Sequence, residues 1–279
     1  MNYITFKTIG ESGQLGSQVQ QYASLYAVAK ETGREIVFPE SSVSKGFGFK
    51  FAELLNIPIT VKPDTFFDQF IDIRPDDTMI VDSRVYSLTP GYNFNIVNRF
   101  DLFHYWYPKY SKDVLDWSWN KKHLDAATQM YSLKQPGKQT VAIHVRRGDY
   151  LLPQHDHFCQ LSVNYYLEAL QYFFQEPDKY QFVIFSNDIE WCKENLIEGD
   201  SVTFIEPSSD CVDLILMSLC DHNINANSSY SWWAAYKNTN KNKKVFCPTN
   251  YLKASSPWAN NINGNYYPQL DWTSINNAT

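Results

Sequence analysis

The chain has 279 residues, and 24 Lys plus Arg against 30 Asp plus Glu leave a formal net charge of -6. With 44% hydrophobic and 19% charged residues it is neither disordered nor a coiled coil, and its length allows one large domain or two ordinary ones. The acidic balance argues against a nucleic-acid binder or a general membrane-surface binder, which need a broad basic face.

The opening MNYITFKTIGESG lacks a positive segment followed by an apolar one, so no secretory signal is read. YITFK reads as a strand, GESGQLGSQ as a glycine-bearing turn, and VQQYASLYAVAKETG as a helix ended by Gly33. REIVFP is the next strand. From Ser41 to Pro136 the pattern weakens: Pro58, Pro63, Pro75, Pro90 and Pro108 punctuate it, and MIVDS is the one clear strand. The QPGK turn at Gln135 to Lys138 marks a boundary, giving lobes 1–135 and 136–279.

Beyond that turn, strand and helix alternate. TVAIHVRRGDY is a buried strand that delivers polar residues at its end. SVNYYLEALQYFF is a helix with Val163, Tyr166, Leu167, Leu170 and Phe173 on its apolar face and Ser162 as N-cap. QFVIFSND, SVTFIE, HNINA and KKVFCP are further strands; IEWCKENL, DCVDLILMSLC and YSWWAAYKN are the helices between them. KNTNKNKK is read as a solvated turn. Such alternation implies a parallel doubly wound sheet with ligands at the carboxyl ends of its strands. No stretch reaches the ~18 apolar residues of a membrane-spanning helix. Five scattered cysteines without a C-x-x-C pair suit a reducing compartment, so a cytoplasmic protein is expected.

The densest polar cluster is His144, Arg146, Arg147 and Asp149. Alternation along an extended chain sends His144 and Arg146 to one side and Arg147 to the other. Arginine suits a diphosphate because its planar fork makes two parallel charge-assisted bonds. The competing reading is an Arg–Asp pair that merely braces a strand end. Arg147-Gly148-Asp149 matches an integrin-type tripeptide, read as chance without a signal peptide. A second cluster, Asn227, Ser228 and Ser229, precedes a helix, where free N–H groups and hydroxyls form an anion site; plain N-capping explains only one serine. Asn227-Ser228-Ser229 is also formally a glycosylation sequon. Trp232 and Trp233 are assigned to the core.

Asp213 either answers a helix dipole or accepts two N–H bonds from a guanine edge, and spacing does not choose. In HDHFC, His155, Asp156, His157 and Cys159 lack suitably spaced partners for a metal, and a carboxylate or histidine there is the better general-base candidate. GQLGSQ, with Gln14, Ser17 and Gln18, is neither a P-loop nor a dinucleotide fingerprint; alone it hints at close backbone approach to a ligand.

Together these segments resemble the α-1,2-fucosyltransferases of glycosyltransferase family 11. That family carries G-x-L-G-N-Q-x-x-Q-Y-A, H-x-R-R-G-D-Y, F-S-D-D-x-x-W and D-x-x-L-M-S-x-C-x-x-x-I-x-A-N-S-S/T-F/Y-S-W-W. Here they read GQLGSQVQQYA, HVRRGDY, FSNDIEW and DLILMSLCDHNINANSSYSWW, in order across nearly the whole chain. The resemblance implies an α/β, GT-B-like fold: two Rossmann-like lobes with the active site in the cleft between them. The first lobe would take the acceptor and the second GDP-fucose, the final segment packing back on the first. The implied reaction moves L-fucose from GDP-β-L-fucose to the 2-hydroxyl of a terminal galactose in an oligosaccharide or lipid-linked glycan, with inversion. No metal, other cofactor, nucleic acid or membrane span is implied; peripheral association at the inner face of the cell membrane is compatible.

By the same resemblance, Arg146 holds the β-phosphate and stabilises departing GDP, and His144 borders the nucleoside. Asp213 reads the guanine, and Asn227, Ser228 and Ser229 contact the diphosphate or ribose. Ser186 and Arg147 complete the donor set, while Arg147 and Asp149 also read as braces. The general base is Asp156 or Asp149. Gln14, Ser17 and Gln18 lie on a loop facing donor and acceptor. Two positions depart from the pattern: Ser17 replaces Asn, leaving acceptor preference or rate open, and Asn187 replaces Asp, removing a charge near the anion site. Two other readings stand beside the transferase: a silent GDP-sugar-binding module and a nucleotide-sugar hydrolase. The tail, with Lys241, Lys243, Lys244 and Lys253 and no acid between Lys237 and Asp271, would add local positive charge. The 16% of aromatic residues fits a sugar acceptor.

Overall fold

A strand apolar on both faces is stable only when helices cover both sides of its sheet. The chain offers two such seven-residue runs, Gln139–Val145 and Tyr180–Ser186, and both are buried almost throughout. The computed structural model describes residues 2–11, 13–74, 83–97, 103–206, 208–263 and 270–277. Two compact units emerge: Met1–Asn120, and Lys121–Asn265 with Gln269–Thr279.

The first unit opens with β1 (Tyr3–Thr5) and α1 (Leu15–Thr32). Gly33 ends α1 in the left-handed conformation at φ 61°, its N–H reaching the carbonyls of Ala29 and Lys30. The REIVFP run splits into β2 (Glu35–Ile36) and β3 (Phe38–Pro39), because the chain changes sheets there. After α2 (Lys50–Leu54) come β4 (Val61–Lys62), β5 (Ile71–Ile73), β6 (Phe94–Ile96) and α3 (Tyr107–Asp116). One parallel sheet runs β2-β1-β6-β5, and β3 pairs with β4 apart from it. These strands are two or three residues long, which explains why no periodicity announces them. Most of the strand expected at MIVDS, Met79–Asp82, lies outside the described residues.

The second unit begins fourteen residues before the QPGK turn, with α4 (Lys121–Tyr131). The turn is an internal αβ connection, because α4 packs on the helix Asp210–Leu219 of this unit. Then follow β7 (Gln139–Val145), α5 (Val163–Phe173), β8 (Tyr180–Ser186), α6 (Ile189–Asn195), β9 (Val202–Ile205), α7 (Asp210–Leu219), β10 (His222–Ile224), α8 (Ser229–Lys237), β11 (Val245–Pro248) and β12 (Thr273–Ile275). All six strands are parallel, in the order β12-β11-β10-β7-β8-β9. Within the final segment, Thr273–Ile275 hydrogen-bonds beside β11 and extends the second sheet.

Val141, Ile143, Val145, Phe182 and Ile184 meet Tyr165, Tyr166, Ala169, Leu170 and Phe173 of α5 in one core. Each such aliphatic side chain contributes about 1.5–3 kcal/mol by leaving water. On α5 the buried face is turned slightly from the expected one: Leu167 is exposed, while Tyr165 and Ala169 are buried. Ser162 stands at the N-cap of α5, but its side chain makes no capping bond. Trp232 and Trp233 are buried in the core as expected.

Candidate active site

Counted from β7, the second sheet runs β9-β8-β7-β10-β11-β12, the 3-2-1-4-5-6 order of a doubly wound nucleotide fold. The chain steps outward from β7 to β9, then returns to place β10 on the other side of β7. Ligands of such sheets bind where the order reverses, at the carboxyl ends of the two neighbouring strands. The register His222↔Val141 to Ile224↔Ile143 brings the end of β7 and the segment after β10 to that edge.

His144, penultimate in β7, is buried, and its Nδ1 has no hydrogen-bond partner among the described residues. Burial, and secondarily the Arg146 charge, push its imidazole down to about 3, so it is neutral at any physiological pH. Arg146 is held from two sides. Nη2 donates to Asp149 Oδ2 at 2.7 Å, and the guanidinium lies 5.3 Å from the Tyr150 ring centroid. Its side chain keeps 15% exposure.

Arg147 turns elsewhere. Its Nε donates to Asp188 Oδ2 at 3.1 Å, and its guanidinium sits 4.0 Å from the Trp191 ring centroid. Asn187 joins the two arginine environments: Oδ1 accepts from the Arg147 backbone N–H at 2.9 Å, and Nδ2 donates to Asp149 Oδ1 at 3.2 Å. Gly148 allows this bridge. It sits at φ 29°, and a Cβ there would collide with the Asn187 amide. An Asp at 187 would face Asp149 with a second carboxylate, so Asn187 supplies a donor as well as removing a charge. Ser186 Oγ accepts from the Asp188 N–H at 2.9 Å and shapes this turn.

Across the edge, Ser228 caps α8, its Oγ accepting from the Tyr230 N–H at 3.3 Å. Ser229 is the first helical residue, so hydroxyls and N–H groups gather where the helix dipole is positive. Asn227 is buried and its Nδ2 is committed to the carbonyls of Cys159 (2.8 Å) and Tyr251 (3.1 Å). Its Oδ1 has no partner among the described residues. At the far end of α8, Lys243 Nζ donates to the carbonyls of Ala235 (2.7 Å) and Asn238 (2.6 Å). Burial lowers that amine to about 8. KNTNKNKK is therefore not a purely solvated turn: Lys237 and Asn238 are buried, and Lys243 closes the helix C-terminus. Nor is the charge of the tail all unpaired, since Lys243 serves α8 and Lys253 pairs with Asp156.

Asp213 lies in the first turn of α7. Burial raises its carboxyl to about 6, against the bonds from Ser208 that favour the ionised form. Ser208 Oγ donates to its Oδ1 at 3.2 Å. Tyr230 links this helix to the site: its hydroxyl donates to the Asp210 carbonyl at 2.5 Å, and its ring meets His144 at 5.4 Å. His144, Arg146, Arg147, Asp149, Ser186, Asn227 and, through Tyr230, Asp213 thus share one end of the sheet.

Asp156 stands apart in a loop, 78% exposed and paired with Lys253 at 2.5 Å. Gln14, Ser17 and Gln18 belong to the first unit. Gln14 is the N-cap of α1, and Gln18 is buried with its Oε1 accepting from the Phe51 N–H at 3.3 Å. Gly13, at φ 90°, leaves room for Ser17: a Cβ there would fall 2.5 Å from the Ser17 Cβ. Among the described residues no group of three or more His, Cys, Asp or Glu is arranged to hold a metal. Tyr150, Asp188, Trp191 and Tyr230 were not singled out from sequence. Their signal was present, since each lies within or beside a motif, but their partners come from other strands.

The sequence profile of Glycosyl transferase family 11 matches residues 2–276. The chain belongs to glycosyl transferase family 11. Among relatives of this family 11 chain, Escherichia coli Alpha-1,2-colitosyltransferase is 40% identical over 106 residues, covering 35% of the chain and 36% of the relative. The Escherichia coli O-antigen biosynthesis glycosyltransferase WbnK is 33% identical over 123 residues, or 42% and 40%. Galactoside alpha-(1,2)-fucosyltransferase 1 of Lagothrix lagotricha is 27% identical over 244 residues, or 82% and 64%. The chain thus spans less than two thirds of the length of these curated relatives. Two solved structures share the fold. Arabidopsis thaliana FUT1, as a variant in complex with GDP, has a TM-score of 0.58 at 11% identity, covering 88% of this chain and 70% of that one. POFUT1 in complex with GDP has a TM-score of 0.55 at 13% identity, covering 88% and 97%. The family 11 chain therefore has the GT-B-like α/β fold of these fucosyltransferases.

Proposed function

We propose that the chain transfers L-fucose from GDP-β-L-fucose to the 2-hydroxyl of a terminal galactose, forming an α-1,2 linkage with inversion. The observation that carries this reading is Arg146, fixed by Asp149 at the end of β7 beside the N-terminus of α8. The named activity of the Lagothrix lagotricha relative and the GDP complexes of the fold neighbours support it.

The leaving group is a diphosphate, so catalysis consists mainly of charge stabilisation and positioning. Arg146 neutralises the β-phosphate as the C1–O bond breaks, and Asp149 is its positioning residue, with both oxygens already accepting bonds. Ser228, Ser229 and the free N–H groups of α8 hold the other phosphate oxygens, and the orphaned Asn227 Oδ1 takes a ribose hydroxyl. His144, neutral, borders the nucleoside, and Asp213 accepts the guanine N–H pair. Arg147 and Ser186 keep the floor of the site in shape. Asp156 receives the proton of the acceptor hydroxyl. Gln14, Ser17 and Gln18 are assigned to the acceptor side in the first unit. No metal or cofactor is needed in this scheme, because Arg146 and the helix terminus supply the positive charge.

The acceptor is a galactose-terminated oligosaccharide or lipid-linked glycan, and the place of action is the cytoplasm or the inner face of the membrane. Five free thiols support a reducing compartment, and no described helix is long and apolar enough to cross a membrane. A second donor, carrying colitose in place of fucose, is favoured by the identity to the colitosyltransferase. The test offers both GDP-sugars with and without a β-galactoside. Release of GDP only with the galactoside, with a fucosylated product, is the expected result. Equal release without acceptor supports a hydrolase; GDP binding without turnover supports a silent module.

A further inference from the structure

Two segments about a hundred residues apart are built as one flap. Phe158 and Leu252 form an antiparallel bridge. The Cys159 N–H donates to the Tyr251 carbonyl at 3.0 Å, and the Lys253 N–H donates to the His157 carbonyl at 2.9 Å. Asn263 Oδ1 steadies the second segment by accepting from the N–H groups of Tyr251 and Leu252, each at 2.9 Å. The Asn227 amide ties both segments to the sheet edge, since its Nδ2 reaches one carbonyl from each. The flap is thereby coupled to the anion site through a buried residue.

A series of rings runs outward through it. Tyr150, beneath the Arg146 guanidinium, stacks on Phe158 with centroids 4.2 Å apart and planes 4° from parallel. Phe158 meets His157 at 4.3 Å, and His157 meets Trp258 edge-on at 6.0 Å and 82°. Tyr150 is buried, whereas Phe158, His157 and Trp258 are half-buried. Beside the outer rings stands the exposed Asp156–Lys253 pair. A galactopyranose has one face of C–H groups and a rim of hydroxyls. Rings that contact the face, next to a carboxylate and an ammonium that bond the rim, complement both parts. The other conspicuous tryptophans, Trp232 and Trp233, are fully buried and offer no such surface.

We propose that this flap is an acceptor-binding wall: the His157–Trp258 corner contacts the terminal galactose, and Asp156 and Lys253 hydrogen-bond its hydroxyls. This rests on the fucosyl-transfer reading and adds to it a wall within the second unit, separate from the acceptor contacts assigned to the first. Tyr150 and Phe158 touch no substrate; they set the distance between the wall and Arg146.

The experiment measures KM for methyl β-galactoside and for a β-galactose-terminated disaccharide, with GDP affinity by calorimetry, in the full chain. Trp258→Leu is expected to raise both acceptor KM values at least ~10-fold with GDP affinity unchanged. Trp258→Phe, keeping a ring, stays within ~3-fold of the parent. Should Trp258→Leu fail to fold, His157→Ala gives the same split. Acceptor KM within ~2-fold of the parent, or GDP affinity falling in step with it, overturns the proposal. An unaltered chain that neither binds GDP nor transfers fucose would instead sink the donor reading. In that case, saturation-transfer contacts from the protein to methyl β-galactoside, present in the parent and absent in the variants, decide for the wall; no contacts in the parent decide against it.

Discussion

Arg146 and Arg147 are neighbours in sequence, yet the regions they enter differ in kind. Arg147 is used up within the protein: its head bonds Asp188, its face lies on Trp191, and its backbone N–H bonds Asn187. Arg146 is held by Asp149 and Tyr150 at the sheet edge that also carries the N-terminus of α8 and the orphaned His144 Nδ1. Both are Arg–Asp pairs, and an inventory of ion pairs would score them alike. What separates them is their neighbours: one pair closes a turn, while the other stands at the end of the sheet that carries a helix N-terminus.

The largest test of that contrast is Arg146→Ala, expected to lower kcat/KM at least ~10²-fold while Tm stays near the parent's. Near-normal turnover in that variant would break the comparison. Next is Asp213→Asn, which leaves the guanine one acceptor and should raise KM for GDP-fucose ~10-fold with kcat little changed. In the parent the same KM should climb as pH falls through about 6, where Asp213 takes up a proton and stops accepting both guanine N–H groups. The Asn variant should show no such limb. Folding responds with the opposite sign: the folded chain holds this proton more tightly than the unfolded chain, with its ordinary value of 3.8. Stability of the free protein therefore gains from this group as pH falls from about 6 toward that value.

Arg147→Ala should act on folding, lowering stability by about 1 kcal/mol in denaturant melts through loss of the Asp188 pair and the Trp191 contact. Its kcat/KM per folded molecule should stay within ~10-fold of the parent, and a larger fall would make Arg147 a donor contact. The smallest effect belongs to Asn187→Asp. It keeps the acceptor for the Arg147 N–H but loses the donor to Asp149, at a cost of about 0.5–1 kcal/mol in stability. A variant more stable than the parent would remove Asn187 from the account of how the two regions are joined.

The two halves of the chain were unequally legible. In the second, β7 and β8 are each seven residues long and buried on both faces, so their apolar runs show in the sequence. The parallel pairing of these strands then follows from their alternation with helices. In the first, strands such as β2 and β4 span two residues, too few for any period to register. A boundary at the QPGK turn leaves α4 with the first half; its packing on α7 assigns it to the second.

The sequence by itself determined the family, the doubly wound second unit and the cluster His144, Arg146, Arg147 and Asp149, because these rest on local pattern and on residue types that few chemistries need together. Tertiary structure alone decided that Arg147 pairs with Asp188 and lies on Trp191, that Lys243 closes α8, and that Asn227 ties the flap of His157 and Lys253 to the sheet. Each of those depends on contacts between residues from 5 to about 100 positions apart, and such contacts leave no periodic trace in the chain that makes them.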